Sequence, residues 1–194
     1  MKKIIYIALL IFGFSNLVNA EEGEFKLGVE LGWTPVEIEA EKTAQAIANA
    51  SGSTVTTEYD KGAFVLRGFG EYGLSSNLGI EVGYFQTTGA GATYKIGADS
   101  ASESYDIHGF DFSAVIKSSE GFFGKIGLHS TTIDGDANVI IGGTSYTATA
   151  SKTGTGALIG AGIDVDNTRY SFTHYADVGG IDTELTFFSV GILF

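Results

Sequence analysis

Three histidines, His108, His129 and His174, are the side chains of this chain best suited to proton transfer near neutral pH. His129 precedes Ser130, but neighbours on an extended chain point to opposite faces, so they form no base–nucleophile pair. Asp99-Ser100 sets an acid beside a hydroxyl, with no base at a matching spacing. Asp134-Gly135-Asp136 offers two carboxylates to a cation but lacks the ligand spacing of a calcium loop, so a polar loop is the favoured reading. The run "GTGALIGAG" (154–162) has glycines enough to cradle a phosphate, yet it does not open a helix at phosphate-loop spacing. Cysteine is absent, which removes thiolate nucleophiles, thiolate metal sites and disulfides. No nucleophile, base and orienting group come together, so no catalytic, cofactor-binding or metal residues are expected.

The other charges follow a pattern of their own. In "EFKLGVELGWT" (24–34), Phe25, Leu27, Val29, Leu31 and Trp33 alternate with Glu24, Lys26, Gly28, Glu30 and Gly32. Strict alternation predicts a strand with one apolar face and one face of charge and glycine. Similar segments recur at 62–74, 78–88, 105–117, 122–133, 155–166 and 184–194, and a seventh at 169–177 has an ambiguous phase. That makes eight strands, each near the 9–11 residues of a tilted membrane-crossing strand. "SSN" (75–77), "SSEG" (118–121) and "NT" (167–168) read as tight turns, while 35–61, 89–104 and 134–154 read as long loops.

Short turns at one end and long loops at the other are the pattern of transmembrane barrels. Each strand carries one or two charges among Gly, Ser and Thr, as a crowded lumen requires; a soluble sandwich would spread charge along its outside. Glu30, Arg67, Glu71, Glu81, Asp111, Lys125 and Asp164 are therefore expected to form an inward charge network. Trp33, Tyr72 and Tyr84 lie toward strand ends on the apolar face, where interfacial girdles sit. The predicted fold class is all-β: an eight-stranded antiparallel transmembrane β-barrel with short periplasmic turns and long extracellular loops.

Composition and the chain's start agree. Met1-Lys2-Lys3, the apolar run Ile4 to Phe14 and "VNA" (18–20) form a secretory signal peptide, so residues 1–20 are expected to be removed and 21–194 to form the barrel domain. Without Lys2 and Lys3 the net charge is about −14, which argues against nucleic acid and against adsorption to anionic lipid. The 28 glycines, single proline and 12% aromatic content favour strands over helices.

Phe188, Val190, Ile192 and Phe194 alternate up to the last residue, and this resembles the C-terminal strand signature of bacterial outer-membrane barrels. The resemblance implies an assembly signal read by the barrel assembly machinery. "KLGVELGWT" and "GFGEYGLSSNLGIEVGYF" resemble the first strand and second hairpin of the OmpA transmembrane-domain and OmpX-like family. By that likeness Glu81, Lys125 and Asp164 match inward charges. Val115 stands where the family has an inward lysine, and the seventh strand's inward arginine falls near Phe172.

What the resemblance implies is a non-enzymatic outer-membrane protein displaying extracellular loops, for adhesion or colonisation, host interaction or envelope integrity. A narrow channel is the second reading, weighed down because eight strands enclose room for little beyond side chains. A lipid A-modifying enzyme is third; Asp99-Ser100 is similar to the loop acid–serine arrangement of PagP-type acyltransferases in two residues only. The expected partners are outer-membrane lipid and lipopolysaccharide, the assembly machinery and a host surface ligand.

Two β-rich runs flank Gly142-Gly143, Val139 to Ile141 before and "TSYTATAS" (144–151) after, which predicts a hairpin protruding past the membrane. Thr34-Pro35-Val36-Glu37 also fits a helix capping box, leaving 35–61 open between helix and hairpin.

Overall fold

Alternation at 24–34 becomes strand β1 (Phe25–Pro35), whose odd-numbered residues from Phe25 to Trp33 are exposed while Gly28, Glu30, Gly32 and Thr34 are buried. The computed structural model describes residues 23–35 and 40–194; the expected signal peptide and the Val36-Glu37 part of the capping box lie outside these residues. The chain continues through helix α1 (Ala40–Ser51), β2 (Thr56–Tyr59), β3 (Gly62–Gly73), β4 (Leu78–Thr87), β5 (Ala90–Ile96) and β6 (Asp99–Lys117). It ends with β7 (Phe122–Ile141), β8 (Thr144–Val165), β9 (Thr168–Tyr175), a 3-10 turn (Val178–Gly180) and β10 (Leu185–Leu193). No described helix is long and apolar enough to cross a membrane.

Eight strands close on themselves in the order β1-β3-β4-β6-β7-β8-β9-β10, each antiparallel to its neighbour, and β10 returns to β1 through pairs such as Glu30–Gly191 and Trp33–Phe188. Phe194 completes the seam: its N–H donates to the Leu27 carbonyl at 2.8 Å, and the Leu27 N–H donates back at 3.3 Å. Closure leaves the barrel no edge, so every backbone group in the wall can pair within the protein.

Outward residues are apolar all round the wall, from Leu31 at 61% exposed to Leu128 at 66% and Phe188 at 57%. Within the wall the core is on the inside, where Val65, Phe85, Leu158 and Phe187 are buried. Such an arrangement would be inverted for a protein folded in water, where a buried Leu or Phe side chain is worth about 1.5–3 kcal/mol over an exposed one.

Of the three long connections, 89–104 is strand rather than loop, as β5 and the start of β6. Residues 134–154 form the hairpin expected around Gly142-Gly143, and β7 and β8 run without a break to the Ile141–Thr144 pair. The connection 35–61, left open between helix and hairpin, contains both a helix and a strand, and Thr34 belongs to β1. β2, β5 and the far parts of β6, β7 and β8 therefore form a five-stranded sheet above the barrel. Helix α1 packs Ala44 and Ile47 over Ala92 and Tyr94 on one face of it, a small second core that holds β5 and β2 in place. The last tight turn is Asp166-Asn167, one residue earlier than expected, closed by the Val165–Thr168 pair.

Candidate functional site in the lumen and above it

Inward alternation from seven strands delivers nine charges into a space too narrow for water-separated ions. Arg67 (β3) is fully buried and bonds three carboxylates: Nη1 to Glu30 Oε2 at 3.0 Å, Nη2 to Glu81 Oε1 at 2.6 Å, and Nε and Nη2 to the two Asp111 oxygens at 3.0 and 2.7 Å. Arg169 (β9) makes a second hub. Its Nε and Nη2 grip Asp164 at 2.7 and 2.9 Å, Nη1 reaches Glu81 Oε2 at 2.6 Å, and Nη2 reaches Glu71 Oε2 at 2.9 Å. Glu81 thus joins the two guanidinium groups.

Lys117 Nζ lies 2.6 Å from Glu71 and 3.2 Å from Asp164, and Lys125 Nζ lies 3.3 Å from Glu81. Neutral donors satisfy remaining lone pairs: Ser171 Oγ to Glu30 at 2.9 Å and Tyr175 Oη to Asp111 at 2.8 Å. The Phe69 ring lies between the hubs, 4.9 Å from Arg67 Cζ and 4.7 Å from Arg169 Cζ. Bidentate contacts of this kind offset a desolvation cost of several kcal/mol per buried ion.

The structure brings Glu30, Arg67, Glu71, Glu81, Asp111, Lys125 and Asp164 into one network. Sequence reasoning did not assign Arg169 and Lys117 to it. Phe172, where the resemblance set an inward arginine, faces outward and packs on Phe188 at 5.0 Å between ring centroids. Val115 is inward and buried, and Lys117, two residues along the same face, supplies the ammonium.

Toward the hairpin end the lumen turns apolar. The rings of Phe85, Tyr175 and Phe187 pack together with centroids 4.8–6.1 Å apart, Tyr175 stacked on Phe187 and Phe85 tilted against both, with Val65, Leu158, Leu185 and Val178 around them. Val178 belongs to the 3-10 turn, which folds inward and is held by the Gly179 N–H donating to Thr131 Oγ1 at 2.9 Å. Ion pairs below and an aromatic plug above fill the interior of the barrel.

Phe188, Val190, Ile192 and Phe194 all point outward. So do Trp33, Tyr72 and Tyr84: Trp33 near the hairpin end of β1, Tyr72 near the turn end of β3, and Tyr84 three residues inside β4, 4.9 Å from Phe110.

The histidines do not assemble a reaction centre. His129 lies in the lumen with Nε2 on the Ala176 carbonyl at 2.7 Å. His174 Nδ1 meets Thr186 Oγ1 at 2.7 Å, and among the described residues no carboxylate bonds its other nitrogen. Asp99 accepts a hydrogen bond from the Gly142 N–H at 2.8 Å, tying the hairpin tip to β6, and Ser100 is a ladder residue opposite Ile140. His108 instead lies beside Asp106 and Asp134 on the outer face.

Above the barrel, Thr144–Thr153 of β8 pairs with β7 on one side only, and all ten residues are exposed. In the protruding strands, Glu58, Asp99, Glu103, Asp106, Asp134 and Asp136 stand against Lys95 and Lys152.

No protein-family model and no curated protein matches the sequence. Among solved structures, the chain is similar to Ail, the attachment invasion locus protein of Yersinia pestis, solved with the heparin analogue sucrose octasulfate; TM-score is 0.54 and identity 10%, covering 90% of this chain and 100% of that one. The fold is that of a small eight-stranded outer-membrane β-barrel. The outer membrane protein OprG of Pseudomonas aeruginosa matches with TM-score 0.47 and 10% identity, over 89% of this chain and 96% of that one.

Proposed function

We propose that the protein is a non-enzymatic barrel of the outer membrane that engages a partner outside the cell through the free edge of its protruding hairpin. The three tight turns then face the periplasm and the hairpins the exterior. The observation that carries this reading is the run Thr144–Thr153, exposed on both faces and unpaired along one edge. Unpaired ladder groups on a straight edge can add a strand from another chain, and natural proteins usually blunt such edges with proline or lysine. Here the run has no proline and a single lysine, Lys152.

The filled lumen speaks against the channel reading, and the separated histidines against a lipid-modifying enzyme. Ail was solved with a polyanion. The excess of carboxylates on this chain's protruding sheet disfavours a ligand of that class and favours a neutral or basic extended segment.

Replacing residues 138–147 with Asn-Gly tests this. The Ala137–Ala148 pair would then close on a two-residue turn suited to a hairpin, leaving the barrel and lower hairpin intact. The shortened protein should fold and insert as the parent does, and cells displaying it should lose attachment to host cells. Undiminished attachment would rule out Thr144–Thr147, the outermost stretch of the edge, as the binding element.

A further inference from the structure

Where β6 and β7 leave the barrel wall, three ligand-type side chains meet on the outward face. Asp106 and His108 lie two residues apart on β6, so they share a face; Asp134 stands directly across from Asp106 on β7. One donor atom from each lies within 4.8 Å of the others, and His108 Nδ1 is 3.4 Å from Asp134 Oδ2. Among the described residues no lysine or arginine pairs with Asp106 or Asp134, and His108 is the one basic group that meets either carboxylate. Like charges directly opposite in an antiparallel ladder destabilise it, and here the opposed pair sits at the joint between barrel and protruding sheet.

The site is distinct from the lumen network and opens outward. One pleat toward the wall's middle is Phe110, 63% exposed, in the apolar band. One pleat the other way are Ser104 and Asp136, opposite each other. Thr132, opposite His108, is held by Thr153 at 2.8 Å, which fixes the floor of the site.

We infer that Asp106, His108 and Asp134 form a site for a first-row transition divalent cation, of which Zn2+ is the representative. One imidazole and two carboxylates match the ligand preferences of this class, whereas Ca2+ asks for six to eight oxygens. Three ligands from one side leave a coordination position open to the exterior. The cation replaces a carboxylate–carboxylate repulsion by two attractions, and so clamps β6 to β7 where the protruding sheet begins. The acidic surroundings raise its local concentration.

Titration calorimetry of untagged, refolded protein in detergent, with Zn2+ alone, tests the assignment. One equivalent should bind. Asp106→Asn, His108→Ala and Asp134→Asn should each weaken binding at least about tenfold, since loss of a direct ligand costs no less than loss of its supporting partner. Asp136→Asn, one pleat away, should leave it unchanged, and Ca2+ or Mg2+ should bind at least about tenfold more weakly than Zn2+. Heat-modifiable gel migration identifies the folded fraction of each variant, and only that fraction is compared. Hydrogen exchange should slow in residues 100–106 and 134–140 when Zn2+ is added to the parent. Equal binding by parent and Asp134→Asn, absence of Zn2+ binding, or Ca2+ binding as tight as Zn2+ would overturn the assignment.

Discussion

Arg67→Met is expected to cost about 3–5 kcal/mol of barrel stability, the loss typical of breaking a buried ion pair and leaving its partner uncompensated. Methionine fills much of the space but donates nothing to Glu30, Glu81 or Asp111, all of which stay buried. A carboxylate bonded by Lys125 or Arg169 has a second cation, and Glu81 has both; Asp111 keeps only the Tyr175 hydroxyl. Adding Asp111→Asn should therefore recover part of the loss, with a coupling of about 0.5–3 kcal/mol in urea titrations of the protein in detergent. Strictly additive losses would mean that the two groups do not act as a pair.

Gly127→Val should be the second costly change, and Gly68→Val its tolerated counterpart. Gly127 faces the lumen on β7, where a Cβ would overlap the Phe112 carbonyl oxygen and lie 2.7 Å from Ser113 Cα on the neighbouring strand. Those are backbone atoms, so no rotamer change relieves the clash and the two strands must part. Overpacking typically costs about 1–3 kcal/mol, and an obstacle made of backbone puts this site at the upper end. At Gly68 an added Cβ meets nothing within 4 Å, and the position faces outward. Valine there should leave the unfolding midpoint unchanged or raise it, because β-branched residues suit an apolar strand surface. Equal midpoints for the two variants would contradict the close approach of β6 and β7.

Much of the barrel was legible because its two faces differ so sharply in chemistry. In β1, Val29, Leu31 and Trp33 against Gly28, Glu30 and Gly32 leave no choice of phase, and the same holds for Glu81 among Leu78, Ile80 and Val82. β9 was unreadable because both of its faces carry an aromatic: Tyr170 and Phe172 point out while Tyr175 points in with Arg169, Ser171 and Thr173. A signal for Arg169 existed in its distance from Asp164. Across a two-residue turn closed by Val165 and Thr168, those two stand directly opposite, and opposite charges there are stabilising. β5 and β2 carry little strand signal of their own. Ala92 and Tyr94 are buried against Ala44 and Ile47 of α1, Tyr59 of β2 and Ala101 of β6, so their structure comes from tertiary packing. The Asp106–His108–Asp134 group is set by register alone, since only pairing of β6 with β7 brings Asp134 to residues nearly thirty positions earlier.

The chain carries its own probe of whether the apolar face of its strands meets lipid. Trp33 is the single tryptophan, and it points outward at 44% exposure beside Phe64 and Phe188. Refolded into vesicles of phosphatidylcholine brominated along the acyl chains, the protein should show blue-shifted emission, quenched relative to unbrominated vesicles and insensitive to aqueous iodide. Emission typical of water, quenched by iodide and untouched by the brominated lipid, would contradict the outward, lipid-facing placement from which the rest follows.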